Sequence, residues 1–432
     1  MNRYISKAGL LIVFLSFVAF PQRTEKLSLK DAISLALQNN PDVLRAQKEI
    51  DAASGRILQA GKIPNPEFGV SWNETPQNFN VLDADERDIG IVQQIEFPSK
   101  RSNRVAVATS DKEITELQLQ RIKILVTAQV KGAYYSLSFS QEVIKSLEGQ
   151  LNLLRDFQQL LRSRFEAGAS SYLDVVRSKV EIARTVNDLT EAKREAQLRE
   201  TQLNLLLGRS SDQSVQLTDS LVYVPLILNQ DSLVAQLRER SVALRIAQRT
   251  VGRQQSVLGL AGTSYLPDFS LELSHQRIAE QPPFNANNFT GVTTNSFGIQ
   301  LGISIPLWFW QEPRGQVREA EALVEIATVS FTATERRIQA DILNALRAVN
   351  VADAQLQLFD RSLLADANDI LTTGINQYRN DQIDVLNLVD IYRTYRATRL
   401  EYLRAIHNYA VAYAELDAAG ELPFDNSFMI GD

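Results

Sequence analysis

The sequence predicts a mainly α-helical protein with a transmembrane β-barrel portion, built by duplication of one unit. Three observations predict it. Four short stretches alternate apolar and polar residues with period two, and between them apolar residues keep a three-four spacing over tens of residues. A junction from strand through proline to helix occurs twice, at Pro98 and Pro306, 208 positions apart. A repeat at about half the chain length sets the architecture before any local reading.

The stretch from Asp88 to Arg104 shows the device most clearly. Ile89, Ile91, Ile95 and Phe97 take one side of the alternation, and Gly90, Gln94 and Glu96 the other, with Val92 out of place. Pro98 has no N–H for a ladder, and beyond it a helical spacing runs without Pro or Gly to Lys131. From Asn295 to Ala320 the same order returns: Phe297, Ile299, Leu301, Ile303 and Ile305 alternate with Gly298, Gln300, Gly302 and Ser304, then Pro306 ends the strand.

Composition excludes several classes. The 432 residues carry 45 Lys plus Arg against 51 Asp plus Glu, a net charge of -6, and no basic block, so no nucleic-acid partner is expected. With no cysteine there is no disulfide framework, no thiol chemistry and no lipid attachment to Cys. Arg3 and Lys7 precede an apolar run from Ala8 to Phe20, the order of a secretory signal, and residues 1–22 are expected to be that segment. No later run has about 18 uninterrupted apolar residues, so membrane spanning must be by strands.

The remaining elements follow in order. Leu27–Asn39 reads as a short amphipathic helix with Ser28 as N-cap, and Pro41 opens a second reaching about Lys62, stopped by Pro64 and Pro66. Phe68, Val70 and Trp72 alternate with Gly69 and Ser71 in a first strand, joined to the second by a polar segment. The helix from Ser99 to Phe165 would be on the order of 100 Å long. Its seam of Ile144, Leu147, Leu151, Leu154, Leu161 and Phe165 is that of a coiled coil. Gly168 breaks it, and a helix from Tyr172 to Leu207 returns antiparallel to Gly208.

A first repeat thus covers 23–210, a linker 211–230, and a second repeat 231–420, before a loose tail at 421–432. In the second repeat Ala261-Gly262 and Pro267-Asp-Phe269 echo Ala60-Gly61 and Pro66-Glu-Phe68. A third strand carries Phe269, Leu271 and Leu273, and a solvated loop is expected from Ile278 to Asn295. A helix from about Gly315 to Tyr378, a break near Asn380 and Asp381, and a final helix to Gly420 complete the reading.

Four strands of about ten residues match transmembrane strand length. Four cannot close a barrel, and unpaired edges in lipid cost several kcal/mol per group, so the edges must meet other copies of the chain. Trp308, Phe309 and Trp310, just past the fourth strand, fit an aromatic girdle at the interface with membrane lipid. The polar alternation places Gln94, Glu96, Glu272 and Gln300 toward the lumen, as a wall that tunes ion passage or is merely hydrated. The two histidines, His275 and His407, are far apart, and no metal site is expected; nor is there a nucleophile motif or phosphate loop, so no catalytic residue or cofactor is assigned.

These residues resemble the TolC-type outer-membrane efflux proteins. The matches are Phe165-Glu-Ala-Gly168 with Leu173-Asp-Val-Val-Arg177, Leu205-Leu-Leu-Gly208, and Tyr378-Arg through Leu388-Val-Asp390 to Arg393-Thr394, together with both strand-proline-helix junctions. The resemblance implies a homotrimer in which three copies close one 12-stranded barrel, continued by an α-helical tunnel across the periplasm. It implies export of drugs, metal ions or proteins with an inner-membrane pump and a periplasmic adaptor, and no catalysis.

The resemblance also places the breaks near Gly168 and Asp381 at a constricted periplasmic tip. Aligning Phe165 with Tyr378 sets Asp174 opposite Asn387 and Arg177 opposite Asp390. Asp174, Asn387 and Asp390 are expected to ring the gate, where carboxylates favour cations, and Arg177 is either a gate partner or a surface charge. Asp174 has a second reading, as a capping residue at its helix start. Asn387 stands where the family often has an acid, and Asp381 where it usually has Gly. The tip sequence leans toward members serving heavy-metal pumps. Two competing classes are a periplasmic coiled-coil adaptor or structural protein, which would not need lipid-ready strands, and a secreted enzyme, which lacks a catalytic constellation.

Overall fold

The computed structural model describes residues 25–73, 85–223, 241–279, 293–359, 363–421 and 430–431. The expected signal segment, residues 1–22, lies outside them. After a short strand β1 (Glu25–Leu27), helix α1 (Leu29–Asn39) starts where Ser28 Oγ accepts the Asp31 N–H, and α2 (Pro41–Ala60) where Asn40 Oδ1 accepts the Asp42 N–H. Strands β2 (Glu67–Asn73) and β3 (Glu86–Ile95) form the first hairpin. Helix α3 (Pro98–Glu166) runs 69 residues, and α4 (Tyr172–Leu206) returns along it.

The second half repeats this order. Helix α5 (Val242–Gly262) leads to β6 (Asp268–Ala279) and β7 (Thr293–Ser304), after the short strands β4 (Val215–Leu217) and β5 (Ser220–Leu221). Helices α6 (Glu312–Leu358), α7 (Leu364–Arg379) and α8 (Val385–Gly420) follow. Among the described residues no helix is long and apolar enough to cross a membrane.

One antiparallel sheet takes the order β2-β3-β6-β7, leaving β2 and β7 as its edges. Its register stacks like with like. Phe68, Ile91, Leu273 and Ile299 form one cross-strand row on one face, and Glu67, Val92, Glu272 and Gln300 a row on the other. Gly298 and Gly302 lie against Ser274 and Ser270, whose hydroxyls occupy the space a Cβ would need. The apolar face is open: Phe297 is 86% and Leu301 81% exposed.

The main core sits midway along the helices. Tyr134, Tyr135 and Leu137 of α3 pack there with Leu203 and Leu207, Ile342 and Leu346 of α6, and Tyr409 and Leu416 of α8. Smaller clusters continue toward the turn at Gly168, where Leu161 meets Val175, Tyr378 and Leu388.

Several expectations are corrected. The segment 211–230 is more than a linker, because β4 pairs parallel with β1 and ties the end of the first repeat to its start. The expected loose tail returns Ile430 and Gly431 to pair with β5. Strands β6 and β7 extend to Ala279 and from Thr293, so the loop expected from Ile278 is shorter. The helix expected from about Gly315 begins three residues earlier, at Glu312, and is described in two stretches, α6 and α7, with residues 360–362 between them outside the described residues. Phe165 is not part of the buried seam but is 41% exposed, its ring 5.8 Å from that of Tyr172.

Two polar contacts, one buried and one half-buried, hold the core's middle. Lys131 Nζ meets Asp417 Oδ2 at 2.6 Å, both side chains nearly inaccessible. Lys131→Met alone is expected to destabilise the detergent-solubilised protein by about 3–5 kcal/mol, since it removes the ammonium that faces a buried carboxylate, while Lys131→Met/Asp417→Leu recovers most of the loss in urea unfolding. His407 bonds Ser136 Oγ at 3.0 Å and packs on Phe139. Burial is the chief force holding its imidazole below the usual value. The unfolded chain therefore binds the proton first, and the neutral ring's contribution is intact above about pH 6.5 and lost as pH falls from there through the folded-state value. Melting of His407→Gln is expected to vary less than wild type between about pH 7.5 and 5.

Candidate functional site at the paired helix turns

The ends of the two long hairpins are built alike. After α3, Gly168 takes a left-handed φ of 76°, and the Ala169 N–H reaches back to the Arg164 carbonyl at 2.8 Å. After α7, Asp381 takes φ 55°, and the Gln382 N–H reaches the Gln377 carbonyl at 2.9 Å. Both are the six-to-one closure that satisfies a helix's last carbonyls. Each following helix is capped at the matching place: Ser171 accepts the Asp174 N–H, and Asp384 accepts the Asn387 N–H.

Asp174 has a structural task here. Its carboxylate accepts from the Ser171 N–H at 3.4 Å and from Ser171 Oγ at 3.0 Å, completing a capping box. Arg177 lies 3.7 Å from Asp174 Oδ1, one turn on. The structure thus brings this pair together, while Asn387 and Asp390 occupy the corresponding exposed positions of α8.

The contacts that join the two hairpins involve residues the sequence reading did not assign. Arg164, in the last turn of α3, donates to the carbonyls of Tyr378 and Arg379 at 3.2 and 3.3 Å and pairs with Asp381 at 2.7 Å. Its guanidinium lies 5.0 Å from the Tyr378 ring centre. Farther from the turns, Arg393 of α8 grips Glu181 of α4 at 2.9 and 3.4 Å, and Arg396 pairs with Asp188. The Glu181 side chain is only 4% exposed and also has Arg184 at 3.7 Å. That carboxylate holds Arg393 above the usual guanidinium value, and burial raises the neighbouring Tyr392 phenol. Asp384 was open to sequence reasoning, since it matches Ser171 at the same spacing that matches Asp174 to Asn387. The arginine pairs had no local signal. A groove of about 220 Å³ opens beside them, lined by Leu154, Phe157, Leu371 and Tyr392.

At the other end of the molecule, Gln94 stands opposite Ser270, and Glu272 opposite both Val92 and Gln300, on one face of the sheet. Glu96 departs from its expected place. The strand ends at Ile95, and Glu96 instead takes both oxygens to Arg104 of α3 at 2.8 Å. With Lys100 on Asp268 at 2.8 Å, this pair fixes the angle between sheet and helices. Among the described residues no group of three or more His, Asp or Glu is placed to hold a metal ion.

A sheet with an open apolar face, standing on two long helical hairpins that end in matched turns, defines a subunit of a membrane channel with a helical extension. The model of the outer membrane efflux protein family matches residues 32–209 and 233–420, and the chain belongs to that family. It is an outer-membrane protein that extends into the periplasm. Among its relatives is the cobalt-zinc-cadmium resistance protein CzcC of Cupriavidus metallidurans, 25% identical over 93% of this chain and 96% of the relative. The outer membrane protein TolC of Vibrio cholerae is 19% identical over 88% of this chain and 89% of its own. The crystal structure of CusC superposes with a TM-score of 0.73 at 19% identity, over 97% of this chain and 98% of that one.

Among the described residues, removing Arg393 leaves the buried Glu181 with Arg184 as its ion-pair partner, 3.7 Å away. Arg393→Ala is expected to weaken the local α4–α8 contact by about 1–3 kcal/mol. Hydrogen exchange should then rise in both helices near these residues, and Arg393→Lys should restore part of the protection.

Proposed function

We propose that three copies of the chain close one 12-stranded barrel and a continuous helical tunnel, forming the exit duct of a tripartite efflux system. The observation that carries this is the sheet itself. Its edge strands β2 and β7 are open, and Phe297, Ile299 and Leu301 present an exposed apolar stripe. In lipid such edges must be hydrogen-bonded, and copies of the same sheet supply the partners. A periplasmic adaptor and an inner-membrane pump would act at the opposite end, where the apolar groove by Leu154 and Tyr392 lies.

In this reading the matched turns are the gate. Asp174, Asn387 and Asp390 surround the narrow end with Arg177 beside them, and carboxylates there favour cations. The pairs Arg393–Glu181 and Arg396–Asp188 hold α8 against α4, so opening must part them. Gln94, Glu272 and Gln300 line the barrel. Divalent metal ions are the cargo the reading favours, supported by the likeness to a cobalt-zinc-cadmium resistance protein and by the acidic row of Glu67 and Glu272.

Single-channel conductance in planar bilayers tests the proposal. Wild type is expected to show a small cation-selective conductance. Asp174→Ala/Asp390→Ala should lose selectivity, and Arg393→Ala/Arg396→Ala should raise conductance severalfold. Conductance indifferent to both sets would remove the gate assignment. Its absence from folded, inserted protein would remove the channel. Loss of cobalt, zinc or cadmium tolerance on gene deletion, with drug tolerance unchanged, would support the cargo.

A further inference from the structure

The helices repeat the order of the sheet. Helix α2 leads toward β2, α3 follows β3, α5 leads toward β6 and α6 follows β7; α2 packs on α3, α3 on α5 and α5 on α6. The interior helix α3 is therefore flanked on both sides, and the upper part of α6 on one. Leu117 of α3 is 7% exposed, whereas Val329, at the matching place on α6, is 70% exposed. On α2, at the opposite flank, Leu58 is 79% exposed. These two flanks belong to the helices that join the open edge strands β7 and β2.

The duplication supplies a register for them. The caps Asn40 and Ser241 open α2 and α5 201 positions apart. Burial matches α3 to α6 at 212 positions, for Ala108 and Ala320, Val130 and Ile342, and Leu137 and Val349 are all buried. The turn that precedes α6 accounts for the excess over the 208 positions between the prolines.

Three contacts join α5 to α3 within the chain, and each has a complementary counterpart on α2 and α6. Arg249 pairs with Glu113 at 3.1 Å. The matching places hold Lys48 and Glu325, again a cation and an acid. Arg253 pairs with Asp111 at 2.8 Å. There α2 and α6 carry Ala52 and Leu323, so both charges are replaced together by apolar groups. Asn103 lies over Gly259 and donates to its carbonyl at 3.4 Å. The counterparts are Gly315 and Leu58, with the large side chain moved to the other helix. A Cβ on Gly315 would meet nothing within 4 Å, so there is room for Leu58 beside it. Flanks that faced only water would place no such joint constraint on two helices that α3 and α5 separate. Lys48 pairs with Asp51 at 3.0 Å, with side chains 82% and 70% exposed, a surface contact of small worth that leaves the ammonium able to reach a second carboxylate.

We infer that α2 of a second copy seats on the upper part of α6 in the register in which α5 seats on α3, with Lys48 of one copy paired to Glu325 of the next and Leu58 packed over Gly315. Val329 is covered in that contact. The contact is heterologous, each copy using both flanks, so a ring can close. The inference rests on the proposed assembly of copies and adds to it the residues and the register of the contact.

The chain has no cysteine, so introduced pairs report alone. Full-length Lys48→Cys/Glu325→Cys in lipid vesicles is treated with a short bismaleimide, and conductance is recorded from the same preparation. Covalent dimers and trimers are expected, at about tenfold the yield of Lys48→Cys/Gln339→Cys, whose second site lies about 21 Å farther along α6. Lys48→Glu should lower the trimer-to-monomer ratio in native mass spectrometry about tenfold, and Lys48→Glu/Glu325→Lys should restore it. Ala52→Arg/Leu323→Asp, which copies the internal ion pair into the contact, should assemble better than either single variant. A conducting protein that gives no crosslink, or an equal yield from the Gln339 pair, overturns the register and leaves the barrel standing. A loss in Lys48→Glu that the double reversal does not restore overturns the ion pair. Wild-type protein that neither assembles nor conducts overturns the barrel reading, and this inference with it.

Discussion

Every feature of this molecule follows from the rule that a backbone N–H or C=O in hydrocarbon must have a protein partner. The chain brings four strands, and within the sheet the outer edges of β2 and β7 stay open. An apolar face more exposed than any water-soluble sheet tolerates accompanies those edges, so the sheet is one part of a larger wall. The strands are polar on one face and apolar on the other because such a wall separates water from lipid.

The wall must then be joined to helices that cannot enter lipid, and the junction is electrostatic as well as steric. Pro98 ends the hydrogen-bonding ladder, while Arg104 on Glu96 and Lys100 on Asp268 lock the first long helix beneath the strands of both repeats. Below the junction, α3 is too long for one core to support. Its stability is divided among the central cluster around Tyr134 and smaller ones near Leu151, Leu154 and Leu161. At the far turns a small apolar cluster around Leu161, Val175 and Tyr378 is supplemented by polar contacts between the hairpins, Arg164 with Asp381 among them.

Duplication explains why those turns match and why they differ. Gly168 and Asp381 occupy equivalent left-handed positions, but only Gly is free of the Cβ penalty there. Asp381 gains a contact that Gly168 lacks, the ion pair with Arg164 from the other hairpin. One repeat thus supplies a plain turn and the other a turn that grips its neighbour. The same asymmetry recurs in Asp174 and Asn387, where only the carboxylate completes a capping box.

The sequence by itself determined the strands, the long helices, the break at Gly168 and the duplication, because each is a local periodicity or a residue with fixed backbone chemistry. Pro98, Pro306, Gly168 and Ser28 act within a few residues of themselves, and their effects are read directly. Family membership was legible for the same reason, in short motifs at both turns. Only the tertiary structure decided which charges meet: Arg393 with Glu181, Arg164 with Asp381 and Lys131 with Asp417 are each more than 200 residues apart, and nothing local selects the partner. It also moved Glu96 from the wall to the junction and turned part of a linker into the partner of β1. Those outcomes depend on which surfaces the fold brings together, a property of the packed chain that no short window of residues contains.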